Sequence, residues 1–442
     1  MKLLLIWPNR DSFGVKPIGL SLLSAIAKNL NCETRLFDTT PIDFGYVDNI
    51  SSGESARIFK PVDLSSFHLE KYKLDLTQNF TNVFKGFKPD CLAFSVLSDE
   101  YQIADKIGKI AKDLDSNVTI IWGGKYPTLN PEKTLKIHNA DFVCVGEGLE
   151  AFSEFLEAFQ NRGALYSISN IWAKRKGKII KNNVRPLKAV LDDLPFVDWE
   201  IFDKRHFIRP FDGKVYIGGD HMLNWGCPYH CTYCINHFYH NLYNNKYFVR
   251  RYKVDRIIEE LKFLKRKYNL TFFRFYDEDF LMRPLENLRE LGESYSKGVG
   301  LPFIIETNPK SVTKEKVSIL KKMNCVGVTI AIENGDMELR KNMLKRVDSE
   351  HDILVAFSLF REFGIRTSSF NLFGIPFESR QIYFKTVELN RKASVQYPSI
   401  GFFYPFEGTE LRQASIESGF LIKMRKNSLF IDEINPLCVL KI

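Results

Sequence analysis

Three cysteines within eight residues constrain this chain more than any other feature. They stand in Cys227-Pro228-Tyr229-His230-Cys231-Thr232-Tyr233-Cys234. This spacing brings three thiolates around one small centre, and soft sulfur ligands suit iron–sulfur clusters or zinc. The fold must therefore supply a loop that gathers three sulfurs. A closed structural zinc site needs four ligands, and His230 or His237 could supply the fourth. Three cysteines alone leave one iron of a cubane open to bind a substrate. The other five cysteines, Cys32, Cys91, Cys144, Cys325 and Cys438, are scattered and read as small buried hydrophobes.

The chain has 442 residues, which suggests two or three domains, and its 45% hydrophobic content is enough for a large core. No apolar run reaches the roughly 18 residues of a membrane span. The apolar start, Met1 to Trp7, is only one strand long and is ended by Asn9, Arg10 and Asp11, so it does not read as a signal peptide. A cytoplasmic location with reduced thiols is expected, and no membrane partner. The net charge of +9 is a modest excess. Lys174, Arg175, Lys176, Lys178 and Lys181 cluster in a hairpin around Gly177, and Arg250, Arg251 and Lys253 precede a helix. Both patches read as solvated, so nucleic acid is not expected as a partner.

The first part of the chain alternates strands and helices. Strands are expected at 2–7, 33–37, 91–95, 118–122 and 141–145, and helices at 17–30, 101–114 and 149–160, with a polar insertion at about 41–80. Such alternation implies a parallel, doubly wound sheet, which binds ligands at the carboxyl ends of its strands. Residues 166–205 read as a hairpin and linker. A second series follows, with strands at 214–218, 271–276, 302–306, 326–332, 367–373 and 399–404. Helices are expected at 254–267, 284–296, 313–323, 336–345, 350–363 and 379–393. Six strands with right-handed crossovers suit a partial barrel. The cysteines follow its first strand, at the end where such barrels carry their chemistry.

This cysteine spacing resembles the radical SAM superfamily signature, in which the open iron chelates S-adenosylmethionine (SAM). Further motifs carry the resemblance over about 215–420. Phe275-Tyr276-Asp277-Glu278-Asp279-Phe280 resembles the acidic end of the family's second strand, which implies SAM contacts at Asp277 and Asp279. Ile305-Glu306-Thr307-Asn308-Pro309 resembles the third-strand motif whose Glu reaches the ribose. Ala331-Ile332-Glu333-Asn334-Gly335 is similar to the Glu-Ser-Gly segment, with Asn334 in place of Ser. There Glu333 and a base about twelve residues on are implied to contact SAM, and Lys345 fits that spacing better than Arg346. Phe373-Gly374-Ile375-Pro376 resembles the Gly-Ile-Pro motif that supports the adenine, implying contacts at Gly374 and Pro376. Phe403-Tyr404-Pro405-Phe406-Glu407-Gly408-Thr409 resembles the close of these domains. The resemblance also places Tyr233, in the cysteine loop, against SAM.

The first series resembles the cobalamin-binding domains that precede radical SAM domains in one large class. Ser95-Val96-Leu97 matches their Ser-x-Leu element, Gly123-Gly124 their Gly-Gly, and Val145-Gly146-Glu147-Gly148 a further element. The resemblance implies cobalamin contacts at Asp38, Ser95, Leu97, Gly123, Gly124, Gly146 and Glu147. Many such domains carry Asp-x-His-x-x-Gly, whose His binds cobalt from below. Asp38-Thr39-Thr40-Pro41-Ile42-Asp43 holds neither the His nor the Gly, so no His ligand is expected at that point.

The expected fold is α/β. A doubly wound flavodoxin- or Rossmann-like cobalamin-binding domain (1–165) is followed by a hairpin and linker (166–205). A partial (β/α)6, TIM-like radical SAM barrel (206–409) and a short tail (410–442) complete it. The resemblance implies a cobalamin-dependent radical SAM methyltransferase with a 4Fe-4S cluster on Cys227, Cys231 and Cys234, together with SAM and cobalamin. In such enzymes, SAM cleavage gives a 5′-deoxyadenosyl radical that abstracts hydrogen from substrate, which then takes methyl from methylcobalamin. The alternatives are a non-methylating cobalamin radical SAM oxidoreductase or cyclase, and a methylthiotransferase with Cys32, Cys91 and Cys144 around a second cluster. The implied partners are a small-molecule or natural-product substrate and an electron donor such as flavodoxin or ferredoxin.

Overall fold

The computed structural model describes residues 1–45, 62–244 and 249–420. Part of the expected insertion, Cys438 and most of the 410–442 tail lie outside the described residues. The chain divides into two compact units. The first holds Met1–Lys188 with Asp193–Asp220, and the second holds Ala189–Asp192 with the chain from His221 onward.

In the first unit β1 (Lys2–Trp7), β2 (Glu33–Asp38), β3 (Cys91–Ser95), β4 (Thr119–Gly123) and β5 (Phe142–Cys144) run parallel in the order β2-β1-β3-β4-β5. Leu3, Leu4, Leu5 and Ile6 are fully buried, as expected of a central parallel strand covered on both faces. The helices are α1 (Ile18–Asn29), α2 (Leu76–Phe87), α3 (Tyr101–Leu114), α4 (Lys125–Leu129), α5 (Pro131–Ile137) and α6 (Leu149–Gln160). Helix α2 begins inside the stretch read as polar insertion. Leu76, Phe80, Phe84 and Phe87 form its buried face, and the Asp75 carboxylate accepts from Gln78 N. That apolar spacing is a helical signal, masked by the charged residues just before it.

The expected 166–205 hairpin is present as β6 (Ile171–Arg175) and β7 (Lys178–Ile180), but it does not stand apart. It adds two antiparallel strands to the edge of the first sheet. Its turn, Lys176-Gly177, has both φ angles positive, the twist that two-residue hairpin turns favour. Residues 193–220 also belong to the first unit, for a reason that sequence patterning hides. Lys16 is fully buried and needs partners. Its ammonium donates to the His206 and Gly218 carbonyls at 3.0 and 3.1 Å and pairs with Asp220 at 2.9 Å. Asp198 is held in the same way by Ser24 at 2.6 Å and Lys28 at 2.9 Å.

The hairpin β8 (Ile208–Phe211) and β9 (Lys214–His221) leads to the second unit. There β10 (Asn224–Trp225) pairs antiparallel with β11 (Arg250–Arg251). The strands β12 (Phe272–Phe275), β13 (Phe303–Thr307), β14 (Cys325–Glu333), β15 (Arg366–Phe373) and β16 (Tyr397–Phe402) lie side by side in chain order, all parallel, as a half-barrel. His221, the end of β9, accepts from Tyr276 N at 2.8 Å. Helices α7 (Ile235–Leu242), α8 (Val254–Tyr268), α9 (Leu285–Gly298), α10 (Lys314–Lys322), α11 (Met337–Asn342), α12 (Glu350–Glu362), α13 (Arg380–Lys392) and α14 (Glu410–Glu417) complete the unit. Helices α7 and α14 went unread in the sequence. Arg250, read there as solvated, is buried, with its guanidinium 5.7 Å from the Trp225 ring centroid.

In the first sheet the strand order turns between β1 and β3, so the loops after these strands diverge and leave a crevice. Gly124 closes the neighbouring strand end. It has φ 103° and ψ −169°, a region essentially closed to side chains. A Cβ there would lie 2.7 Å from the Val96 carbonyl oxygen. Substituting Gly124→Ala is expected to destabilise the protein by about 3 kcal/mol, read as a lowered denaturant midpoint.

Candidate functional site

The cysteine loop follows β10 and is tied down on several sides. Thr232 donates its hydroxyl to Met343 O at 2.6 Å and its N–H to Leu344 O at 3.3 Å, and its carbonyl accepts from Leu411 N at 3.0 Å. The His240 ring nitrogen lies 2.9 Å from Cys227 O. Tyr233 packs on a core of Leu339, Leu344, Ile375, Phe403 and Leu411. Cys234 stands at the N-cap of α7, where the helix dipole favours a thiolate. Cys227 and Cys231 are buried and Cys234 is half-buried. Burial, then the charges of Glu278, Cys234 and Cys231, pushes the Cys227 thiol well above its ordinary value. Thiolates buried in this loop therefore require a cationic partner.

Arg346 supplies a fixed cation. Its guanidinium lies 3.8 Å from Cys231 Sγ, donates to Ala331 O at 3.2 Å and pairs with Asp348 at 3.0 Å. Asp348 also pairs with the buried Arg340. Tyr233, Cys231 and Glu333 outweigh desolvation and hold the Arg346 pKa above its ordinary value. The base expected here was Lys345, and the structure differs. Lys345 has φ 53°, and this left-handed residue turns its side chain outward. Its ammonium pairs with Glu410 at 2.6 Å, and its side chain is 45% exposed. Counting residues could not show which of two adjacent bases faces inward.

The acids after β12 divide their work. Asp277 is fully buried, and its oxygens accept from Leu223 N at 3.1 Å and Asn224 N at 2.6 Å. Burial raises its pKa to about 6. Asp279 accepts from Thr307 and Ser311 at 2.6 and 2.5 Å, with Tyr229 of the cysteine loop 3.4 Å away. Both carboxylates thus hold loop geometry, whereas the intervening Glu278 is exposed. Glu306 pairs with Arg274 at 2.8 Å. Glu333 ends β14 with φ 64°, and burial raises its pKa. Gly374 donates its N–H to Glu378 at 2.6 Å, while Pro376 is buried. Glu378 was not singled out from the sequence, although it lies four residues beyond Gly374.

In the first unit the expected residues gather at the strand ends. Ser95 pairs in register with Gly123, Val96 N donates to Gly123 O at 2.9 Å, and Tyr126 N donates to Val96 O at 3.1 Å. Gly146 N donates to the Thr128 hydroxyl at 3.1 Å, and Glu147 accepts from Lys188 N at 3.3 Å. Leu97 is 41% exposed, so an apolar side chain stands open at this strand end. Asp38 bonds Thr40 through its backbone N–H and its hydroxyl. A histidine does reach Asp38, from a distant segment: the His206 ring nitrogen lies 2.8 Å from its carboxylate. His206 is fully buried against Trp7, Phe13 and Phe202. Sequence spacing gave no signal for it.

Among the described residues no three His, Cys, Asp or Glu side chains converge as ligands of a single metal ion. The sequence alternative for zinc used His230 or His237, but His230 stacks on His240 with centroids 4.0 Å apart and His237 lies 3.3 Å from Glu410. Three cysteine sulfurs, with Arg346 beside Cys231, are the ligand type that could hold an iron–sulfur cluster. Cys32, Cys91 and Cys144 are buried free thiols. Burial raises all three, as suits inert core positions.

The loop after β3 carries a buried acid. Glu100 accepts from Leu97 N at 2.9 Å. Burial raises its pKa from 4.5 to about 8, with Asp99 and Asp11 adding to the effect. The native state therefore keeps a proton that the unfolded chain releases, and stability falls as pH rises between these values. Glu100→Gln removes this term. Its denaturation midpoint relative to the unsubstituted protein is expected to rise from about pH 5 to about pH 8, and a difference independent of pH would contradict the assignment.

Comparison with known proteins agrees with this geometry. The Radical SAM superfamily pattern matches residues 225–389 and the B12 binding domain pattern matches residues 68–156. An uncharacterized methyltransferase of Pyrococcus horikoshii is 25% identical over 352 residues, covering 79% of this chain and 74% of the relative. The cytidylyl-2-hydroxyethylphosphonate methyltransferase of Streptomyces wedmorensis is 23% identical over 446 residues, covering 92% of this chain and 78% of the relative. Among solved structures, the radical S-adenosylmethionine methyltransferase TsrM from Kitasatospora setae, with cobalamin and a 4Fe-4S cluster bound, is similar with a TM-score of 0.71. The match is 15% identical and covers 96% of this chain and 76% of that one. The chain thus carries a B12 binding domain match followed in sequence by a radical SAM superfamily match, and the three-cysteine loop lies within the second.

Proposed function

We propose that the protein is a cobalamin-dependent radical SAM methyltransferase acting on a small molecule. The observation that carries this reading is the three-cysteine loop, anchored beside a parallel half-barrel with Arg346 against Cys231, in a chain that also holds a B12 binding domain. The two relatives described above are named methyltransferases, a third match is named a cyclase, and a second TsrM structure holds tryptophan as substrate. When bound, the cluster supplies an electron that cleaves SAM and cobalamin serves as the methyl carrier.

The chain's own residues bind and orient. Cys227, Cys231 and Cys234 would hold the cluster, leaving one iron open to SAM. Arg346 offsets the charge of the buried sulfurs and would be the base that contacts SAM, a role first expected of Lys345. Tyr233, Glu306, Glu333, Gly374 and Pro376 would line the SAM site, with Asp277 and Asp279 fixing the loops around it. Ser95, Leu97, Gly123, Gly124, Gly146, Glu147 and Asp38 would form the cobalamin-side strand ends. A small electron-transfer protein such as flavodoxin or ferredoxin is the fitting donor, and a reducing cytoplasm suits the free thiols. No helix among the described residues is long and apolar enough to cross a membrane.

Anaerobic reconstitution with iron, sulfide and hydroxocobalamin tests this reading. The desalted protein is expected to retain cobalamin absorption and about four irons per chain, the content of one cubane. Turnover with substrate is expected to give both S-adenosylhomocysteine and 5′-deoxyadenosine. Formation of 5′-deoxyadenosine without S-adenosylhomocysteine would remove methyl transfer from the reading. A second test separates the two adjacent bases. Arg346→Met is expected to lower SAM cleavage by roughly tenfold or more, because it strips one partner from a buried charge cluster. Lys345→Met is expected to stay within about twofold, because its ion pair is exposed.

A further inference from the structure

Two turns at the carboxyl ends of neighbouring strands are joined by one carboxylate. The Glu378 carboxylate accepts from Gly374 N at 2.6 Å and Ile375 N at 3.2 Å through one oxygen, and from Asn334 Nδ2 at 2.7 Å through the other. Asn334 is fully buried, and its side-chain oxygen accepts from Asp336 N at 2.9 Å. The turn after β14 is pressed against α13 as well. Gly335 N donates to the Thr386 hydroxyl at 2.8 Å, and a side chain at Gly335 would run into the Lys385–Thr386 backbone.

Each turn holds a side-chain-bearing residue in the left-handed region, Glu333 at φ 64° and Phe377 at φ 66°. Such conformations are unfavourable for bulky residues and persist only where surrounding contacts determine them. Glu333 directly precedes Asn334, and Phe377 directly precedes Glu378. The bond between these two side chains therefore sits where the strain of both turns is opposed. It also accounts for Asn334 standing where the resembling segment has Ser. A serine hydroxyl is shorter and cannot both donate across to a carboxylate and accept from Asp336 N with an amide's reach.

We propose that Glu378 is a positioning residue for SAM, which through Asn334 fixes Glu333 and the Gly374–Pro376 turn relative to one another. This rests on reading the half-barrel as the SAM site. Glu378 orients groups that touch SAM and need not touch it itself.

The bond has a direction, which makes the test specific. Glu378→Gln keeps an oxygen for Gly374 and Ile375 but turns an NH2 group toward the Asn334 NH2, so two donors meet. Asn334→Asp alone sets two carboxylates together. The pair Glu378→Gln with Asn334→Asp restores one donor to one acceptor, and the introduced carboxylate still accepts from Asp336 N. Binding of SAM to cluster-loaded protein is measured by equilibrium dialysis, with iron content and unfolding midpoint measured on the same samples.

Each single substitution is expected to weaken SAM binding roughly tenfold, the scale of an unsatisfied buried polar group, with iron content unchanged. The pair is expected to return to within about threefold of the unsubstituted protein, because the donor–acceptor match is restored. A purely structural role would change the midpoint without this reciprocal recovery of affinity. If a single variant does not fold, recovery of folding and SAM affinity in the pair supports the proposal, and a pair that also fails to fold overturns it. Singles that bind SAM within about twofold of the unsubstituted protein, or a folded pair no better than the singles, also overturn it. If the cluster-loaded, unsubstituted protein binds no SAM, the SAM reading itself falls.

Discussion

The contact between the Arg346 guanidinium and the Cys231 sulfur is the interaction around which the second unit is organised. Gathering three thiolates in a loop where two are buried is unfavourable unless positive charge lies close, since charges interact strongly where water is excluded. Arg346 is itself buried, so it too requires partners, and Asp348 and Arg340 extend the chain of paired charges inward. The turn that delivers Arg346 also supplies the Met343 and Leu344 carbonyls that pin Thr232. Loop geometry and electrostatics thus come from one short segment. Its left-handed residue, Lys345, decides which of two adjacent bases enters the site.

Around that centre, residues that look alike in the sequence do different things. Asp277 and Asp279 sit in one acidic run, yet each is occupied in holding a neighbouring loop, and the exposed acid is Glu278. Gly123-Gly124 reads as a cofactor-approach motif, but the requirement for glycine at 124 comes from the Val96 backbone of the adjacent strand end. The two explanations are compatible: a strand end must be packed closely before it can present a shaped edge to a ligand. At Asp38 the local pattern holds no histidine, and a histidine 168 residues away lies beside the carboxylate.

Strand and helix positions were largely legible because parallel α/β units alternate continuous apolar strands with amphipathic helices, a periodic signal carried by neighbouring residues. Strands β1, β3, β14 and β15 were read to within a residue or so on this basis. Helix α2 was missed because the charged residues before it obscured a period that was present. Helix α7 was missed because the cysteine loop runs directly into it. The cysteine triplet was legible for a stronger reason, since three soft ligands at short spacing admit few chemistries.

What the sequence determined by itself, then, was the two α/β series, the three-cysteine loop and the order of the strand-end motifs, because each depends on residues close together in the chain. What only the tertiary structure decided was which side chains those motifs spend on one another. It placed Arg346 inward and Lys345 outward, carried residues 193–220 into the first unit through the buried Lys16, brought His206 to Asp38, and joined Asn334 to Glu378. These pairings depend on direction and on the need of each buried charge or polar group for a partner. A buried group takes the partner that the fold brings to it, at whatever distance along the chain that partner lies.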